Sequence, residues 1–162
     1  MSDSITFDGE PPRNRQIGDT YYSKADGRAE TSHVFIGCND LPERWAKLAS
    51  GEGFTVAELG FGTGLNFFET VRQWNASGSK GTLTFISFEA FPMPVTDLTK
   101  SLAPWPEMAA GARWISSIWP PERGWHTFEF LGVKLRLFMG DANAAIADIS
   151  TAIDAWYLDG FA

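Results

Sequence analysis

Four acidic positions carry the residue types from which a ligand site could be built. Glu58 precedes a glycine cluster in the stretch AELGFGTGLNFFE, residues 57–69, with glycines at 60, 62 and 64. Glu89 lies in FISFEAFP, Asp141 in MGDA, and Asp159 in WYLDGFA. Glycine costs backbone entropy, so three in five positions call for a tight turn or a ligand against the main chain. A phosphate-cradling P-loop would end in Gly-Lys-Ser/Thr, and GFGTGLN has no lysine. The dinucleotide fingerprint G-x-G-x-x-G would need glycine where Leu65 stands. Glu58 also sets a negative charge where pyrophosphate would lie. The pattern suits a cationic or amine-bearing ligand.

The elements that must position these residues alternate. FTVAEL (54–59) reads as a buried strand and LNFFETVRQW (65–74) as a helix. TLTFISFEA (82–90) is a second strand, PVTDLTKSLA (94–103) a second helix, and a short helix is expected near PEMAAGARWI. HTFEFLGVKLRLFMGDA (126–142) reads as a hairpin turning at Gly132, NAAIADIS as a short helix, and DAWYLDGFA (154–162) as a last strand. Before the first core strand, GDTYYS (18–23) and SHVFIG (32–37) read as a β-hairpin or two short strands. LPERWAKLAS reads as a helix with Pro42 near its start, and EPPRNRQ (10–16) as an irregular lead-in. Residues 1–50 are thus an N-terminal extension of hairpin plus helix packing on a core that begins at 51. Strands alternating with helices imply an α/β fold with parallel core strands. Ligands bind such sheets outside the carboxyl ends of the strands. The four acidic residues fall at those ends, and their agreement weighs against mere solvated turn caps.

The bulk properties narrow the class. A chain of 162 residues with one cysteine, Cys38, and two histidines leaves no disulfide framework and no Cys/His zinc site, so no metal is expected. The first 20 residues lack the apolar core of a secretory signal, and no apolar run is long enough to span a membrane, which places the expectation in the cytoplasm. The net charge of −7 excludes a nucleic-acid grip spread over the whole surface, though not a local basic patch. S-adenosylmethionine, with a sulfonium, an α-amino group and no phosphate, matches the glycine turn. On this reading Glu89 bonds the ribose hydroxyls, and Asp141 with Ala142 meets the adenine.

YYSKADGRAETSHVFIGCNDLPERW, AELGFGTGLNFFE, FISFEAFP, GDA and DAWYLDGFA resemble the methyltransferase domain of the MnmC-type tRNA wobble-uridine enzymes. The resemblance runs from about Asp19 to Ala162. It implies a class I, Rossmann-like S-adenosylmethionine-dependent methyltransferase fold that methylates the exocyclic amine of 5-aminomethyl(-2-thio)uridine in tRNA. It also implies that Glu58, Gly60, Gly62, Thr63, Gly64 and Asn66 form the cofactor turn. Asp159 falls where the substrate amine is expected and is the candidate catalytic base. Phe161 is placed to stack on the uracil. Tyr22, Glu30 and Asn39 belong to the family-like N-terminal block and are expected to close over the site. Family members continue beyond this point with further strands, and some are fused to a flavin-dependent oxidoreductase domain. The chain is therefore expected to be an incomplete core, inactive or weakly active alone. Two other readings stand beside this one: a fragment of a nucleotide-binding oxidoreductase, and a non-catalytic remnant that binds cofactor.

Overall fold

Val56, Phe85 and Leu135 share one face of a sheet, while Ala57, Ile86 and Phe138 share the other, as the period of two in each strand requires. The computed structural model describes residues 5–6, 13–14 and 27–158. Two short strands, β1 (Ile5–Thr6) and β2 (Arg13–Asn14), pair antiparallel. Helix α1 (Gly27–Glu30) runs into a wide π-helical segment, Thr31–Gly37, and then α2 (Leu41–Ala46). The core follows as β3 (Gly53–Glu58), α3 (Leu65–Ser77), β4 (Thr82–Glu89) and α4 (Val95–Leu102). After these come α5 (Ala109–Ile118), β5 (Gly124–Phe130), β6 (Val133–Met139) and β7 (Ala155–Tyr157).

The main sheet has the order β5-β6-β4-β3-β7. β6, β4, β3 and β7 are parallel, and β5 joins β6 as an antiparallel hairpin arm. The chain works outward from β3 to β4 and β6, then crosses back to put β7 on the other side of β3. That reversal is a topological switch point, where open α/β sheets open a crevice at their carboxyl ends. Helices α3, α4 and α5 cover one face over an aromatic core. The Phe67 ring stands 5.3 Å from Phe85, 6.0 Å from Trp114 and 6.3 Å from Phe61, centroid to centroid. Gly111 lets α5 come close: a Cβ there would lie 2.6 Å from Phe68 Cδ1. The opposite face carries the 3₁₀ turns Ala142–Ala144 and Ile146–Asp148 rather than the single short helix expected over NAAIADIS.

The elements from β3 to β6 match the sequence expectations to within a few residues at their ends; of the strand expected over 154–162, Ala155–Tyr157 is strand and 159–162 lie outside the described residues. The N-terminal segment matches at α2, the helix expected with Pro42 near its start, but not before it. SHVFIG, expected as a strand, is helical. Phe35 and Ile36 are both buried, and a strand would send adjacent side chains to opposite faces. Packing against the core decides the conformation: Phe35 stacks on Tyr157 with centroids 4.9 Å apart. The strand expected over 18–23 lies outside the described residues, and the antiparallel pairing that does occur sits earlier, in β1 and β2.

Candidate active site

The turn from β3 to α3 runs along the carboxyl ends of β3 and β4. Gly60, Gly62 and Gly64 all have positive φ. At Gly64 the need for glycine is steric as well as conformational. With φ at 79°, an added Cβ would meet the Phe61 ring at 2.9 Å and the Phe68 ring at 3.1 Å. Gly64 caps α3, and its carbonyl accepts from Phe68 N–H at 2.9 Å. The Thr63 hydroxyl accepts from Leu65 N–H at 3.3 Å, so Thr63 shapes the turn from within. Phe61 N–H donates to the Phe88 carbonyl at 2.9 Å and lays the turn against the end of β4.

Glu89 ends β4 at this point. One carboxylate oxygen accepts Gly62 N–H at 2.8 Å and the other accepts Phe91 N–H at 2.8 Å. Burial pushes its pKa above the ordinary 4.5, while backbone N–H groups of Gly62, Phe91 and Phe61 pull the other way. Gly140 N–H donates to the Glu89 carbonyl at 2.8 Å, which brings the end of β6 alongside. A crevice of about 110 Å³ opens beside Glu89, with Ala90, Pro92, Pro121, Arg123 and Gly140 among its walls. Asp141 is exposed at its edge and accepts Asn143 N–H at 2.9 Å, capping the turn that starts at Ala142.

Glu58 behaves differently from Glu89. It is 1 % exposed and points to the helical face, where one oxygen accepts the Ser87 hydroxyl at 2.8 Å and the other accepts Asn66 Nδ2 at 3.2 Å. Its carboxylate thus ties the end of β3 to β4 and to the first turn of α3, bracketing the glycine turn. Ser87 was not among the expected site residues. The signal was there, since it stands two positions before Glu89 on the same side of an apolar strand. Thr31, also missed, donates to Asn66 Oδ1 at 2.6 Å from the N-terminal segment, and nothing local in the sequence marks it.

The structure therefore gathers Glu58, Gly60, Gly62, Thr63, Gly64, Asn66 and Glu89 around one turn, with Asp141 and Ala142 at the neighbouring strand end. Glu30 is exposed one residue before Thr31. Asn39, expected to close over the site, is not brought there. Its amide donates to the Phe35 carbonyl at 2.7 Å, closing the helical segment. Arg44 reaches the Asn39 carbonyl at 3.5 Å and the Asp154 carbonyl at 2.7 Å, and it covers the Phe54 ring. Phe54 and Asp154 mark the amino ends of β3 and β7, so Asn39 belongs at the opposite end of the sheet. Tyr22, Asp159 and Phe161 lie outside the described residues. Among the described residues, no group of three or more His, Cys, Asp or Glu side chains could hold a metal ion, and no helix is long and apolar enough to cross a membrane.

Residues 106–162 match a family described as S-adenosyl-L-methionine-dependent methyltransferase. The crystal structure of MNMC2 from Aquifex aeolicus superimposes with a TM-score of 0.72 at 18 % identity, covering 99 % of this chain and 50 % of that one. The fold is therefore the Rossmann-like fold of these methyltransferases. Two proteins called "tRNA 5-methylaminomethyl-2-thiouridine biosynthesis bifunctional protein MnmC" are similar along most of the chain. The one from Marinobacter nauticus is 41 % identical over 158 residues, covering 93 % of this chain and 25 % of the relative. The one from Chromobacterium violaceum is 41 % identical over 162 residues, covering 96 % and 24 %. The chain is similar to these MnmC proteins over nearly all of its own length, and it spans about a quarter of theirs.

Proposed function

We propose that the chain binds S-adenosylmethionine at the glycine turn and serves N-methylation of the aminomethyl group of 5-aminomethyl(-2-thio)uridine at the tRNA wobble position. The observation that carries this reading is Glu89. Its carboxylate is buried at the carboxyl end of β4 and anchored on the turn by Gly62 N–H. A carboxylate has room for about four hydrogen bonds, so capacity remains for ribose hydroxyls. Asp141 and Ala142 hold the adenine side, and Gly60 and Gly62 give the ligand access to the main chain.

The cofactor supplies an electrophilic methyl group when bound. The chain's own part is to align the amine and take its proton. The attacking nitrogen must be neutral, and a carboxylate that bonds the amine can orient its lone pair and accept the proton. Asp159 is assigned that role from its place in the D-G-F-A motif, with Phe161 as the stacking surface for the uracil and Tyr22 and Glu30 at the rim. Residues 1–50 are assigned as an extension that packs on the core and 51–162 as methyltransferase core. In the longer relatives a second activity shares the chain, as the word "bifunctional" in their name says. A fused oxidoreductase domain belongs to this proposal.

Calorimetric titration with S-adenosylmethionine and with NAD tests the reading. Binding of the first and not the second is expected, with loss on Gly62→Val, whose branched side chain would fill the space where the ligand meets the backbone. Methyl transfer to undermodified tRNA then tests the substrate. Binding of NAD in place of S-adenosylmethionine would overturn the assignment.

A further inference from the structure

The buried Glu58 carboxylate takes hydrogen bonds from two neutral side chains, and one of these is itself held in place from outside the core. The Asn66 amide turns its NH₂ toward Glu58, with Nδ2 3.2 Å from a carboxylate oxygen. That choice fixes the other half of the amide. Asn66 Oδ1 faces away and needs a donor. The Thr31 hydroxyl supplies it at 2.6 Å, the shorter of its two contacts, the other being the Gly27 carbonyl at 3.0 Å. Thr31 is 2 % exposed, so its hydroxyl has little water to turn to instead.

We propose that Thr31 is a positioning residue for the cofactor turn: by donating to Asn66 Oδ1 it holds the Asn66 amide with its N–H on Glu58. This rests on the glycine turn being the S-adenosylmethionine site. Asn66 is only half-buried, and without Thr31 its side chain has an unpaired carbonyl on the inner side and solvent on the outer. Swinging outward would satisfy that carbonyl and remove a donor from the buried carboxylate. Glu58 is the residue through which the end of β3, Ser87 of β4 and the first turn of α3 are joined. Loosening it loosens the turn between them, where a ligand must touch the backbone. The N-terminal helical segment is then a working wall of the site rather than packing alone. The link crosses 35 residues of sequence, from Thr31 to Asn66.

Thr31→Val keeps the shape and removes the hydroxyl, and Thr31→Ser keeps the hydroxyl. With S-adenosylmethionine as the probe in calorimetry, Val is expected to weaken binding by roughly threefold to thirtyfold, the scale of one lost hydrogen bond. Ser is expected to bind like the wild type. In an Asn66→Ala background Val should add nothing further, which general damage to packing would not reproduce. A second readout needs no cofactor. The Asn66 side-chain amide protons, followed by NMR in the folded free protein, should be protected in wild type and Ser and exchange faster in Val. Unchanged Asn66 amide signals in Val would overturn the role of Thr31, even where the wild type binds no S-adenosylmethionine. That last result alone would instead overturn the cofactor reading. A loss of affinity in Val that persists fully in the Asn66→Ala background would also overturn the role of Thr31.

Discussion

The Glu89 carboxylate and the Gly62 backbone N–H meet at 2.8 Å, and this bond joins the end of the second parallel strand to the turn that follows the first. Glutamine at position 89 carries one acceptor oxygen where the carboxylate has two, so either Gly62 or Phe91 loses its partner. Glu89→Gln should weaken S-adenosylmethionine binding by about 1–3 kcal/mol, the cost of removing a charged hydrogen-bond acceptor. Calorimetry on the two proteins measures it directly.

The same residue sets a pH dependence. Burial raises the Glu89 pKa in the folded state, so the native protein holds this proton to higher pH than the unfolded chain does. Stability from this group is fully present below the unfolded value, and it falls as pH rises from there through the raised folded value. Urea denaturation from about pH 4 to pH 8 should therefore show the wild type losing stability relative to Glu89→Gln. A wild type that gains on the variant with rising pH would contradict the sign.

Gly64 and Gly78 offer a matched pair. Both have positive φ, at 79° and 67°, but a Cβ on Gly78 meets nothing within 4 Å while one on Gly64 meets two rings. Alanine at 78 should cost about 1–2 kcal/mol, the left-handed strain alone. Alanine at 64 should cost more, by the displacement of Phe61 and Phe68, and should lower cofactor affinity as well. Equal losses in denaturant midpoint would mean that the rings yield freely.

Helix propensity favours alanine over glycine by about 1 kcal/mol, so Gly111→Ala in α5 would ordinarily stabilise. Here the new methyl would sit 2.6 Å from Phe68 Cδ1. Overpacking of this kind costs about 1–3 kcal/mol, and the net effect should be a loss. Pairing the change with Phe68→Leu should recover part of it, as thermal melts of the single and double variants would reveal.

Asp159→Asn preserves size and removes the charge. In a chain extended beyond Ala162, methyl transfer to undermodified tRNA should drop by about tenfold or more with little change in S-adenosylmethionine affinity, because a lost proton acceptor acts on the chemical step. Higher pH should restore part of the rate by supplying neutral amine. Full turnover in the variant at neutral pH would take Asp159 out of the mechanism.

The parallel core was legible because its strands are short apolar runs bounded by glycine and acidic residues, and because α3 carries Phe67, Phe68, Val71 and Trp74 at helical spacing. Glu58 and Glu89 could be placed at strand ends for the same reason. Their different behaviour could not. Whether a carboxylate turns inward to Ser87 and Asn66 or caps a turn on Gly62 depends on the neighbouring strand, which local spacing does not specify. The segment 32–37 misled because His-Val-Phe-Ile has strand-like composition, and only the burial of Phe35 and Ile36 in one core cluster, with Phe35 on Tyr157, shows that they share a side. Asn39 misled in another way: sequence proximity to family-like residues said nothing about which end of the sheet it reaches.

Trp119 stacks on Phe61 of the glycine turn with centroids 5.4 Å apart, and its indole N–H donates to the Met93 carbonyl at 2.9 Å. The ring is 7 % exposed, so its surroundings are protein rather than water. Its emission is therefore an optical report on the turn itself: a ligand that moves Phe61 changes the field and the quenching around one fixed indole. The chain has seven tryptophans, and replacing the others with phenylalanine would isolate that signal. The protein thus carries its own fluorophore beside the position where occupancy has to be read, and no label need be attached.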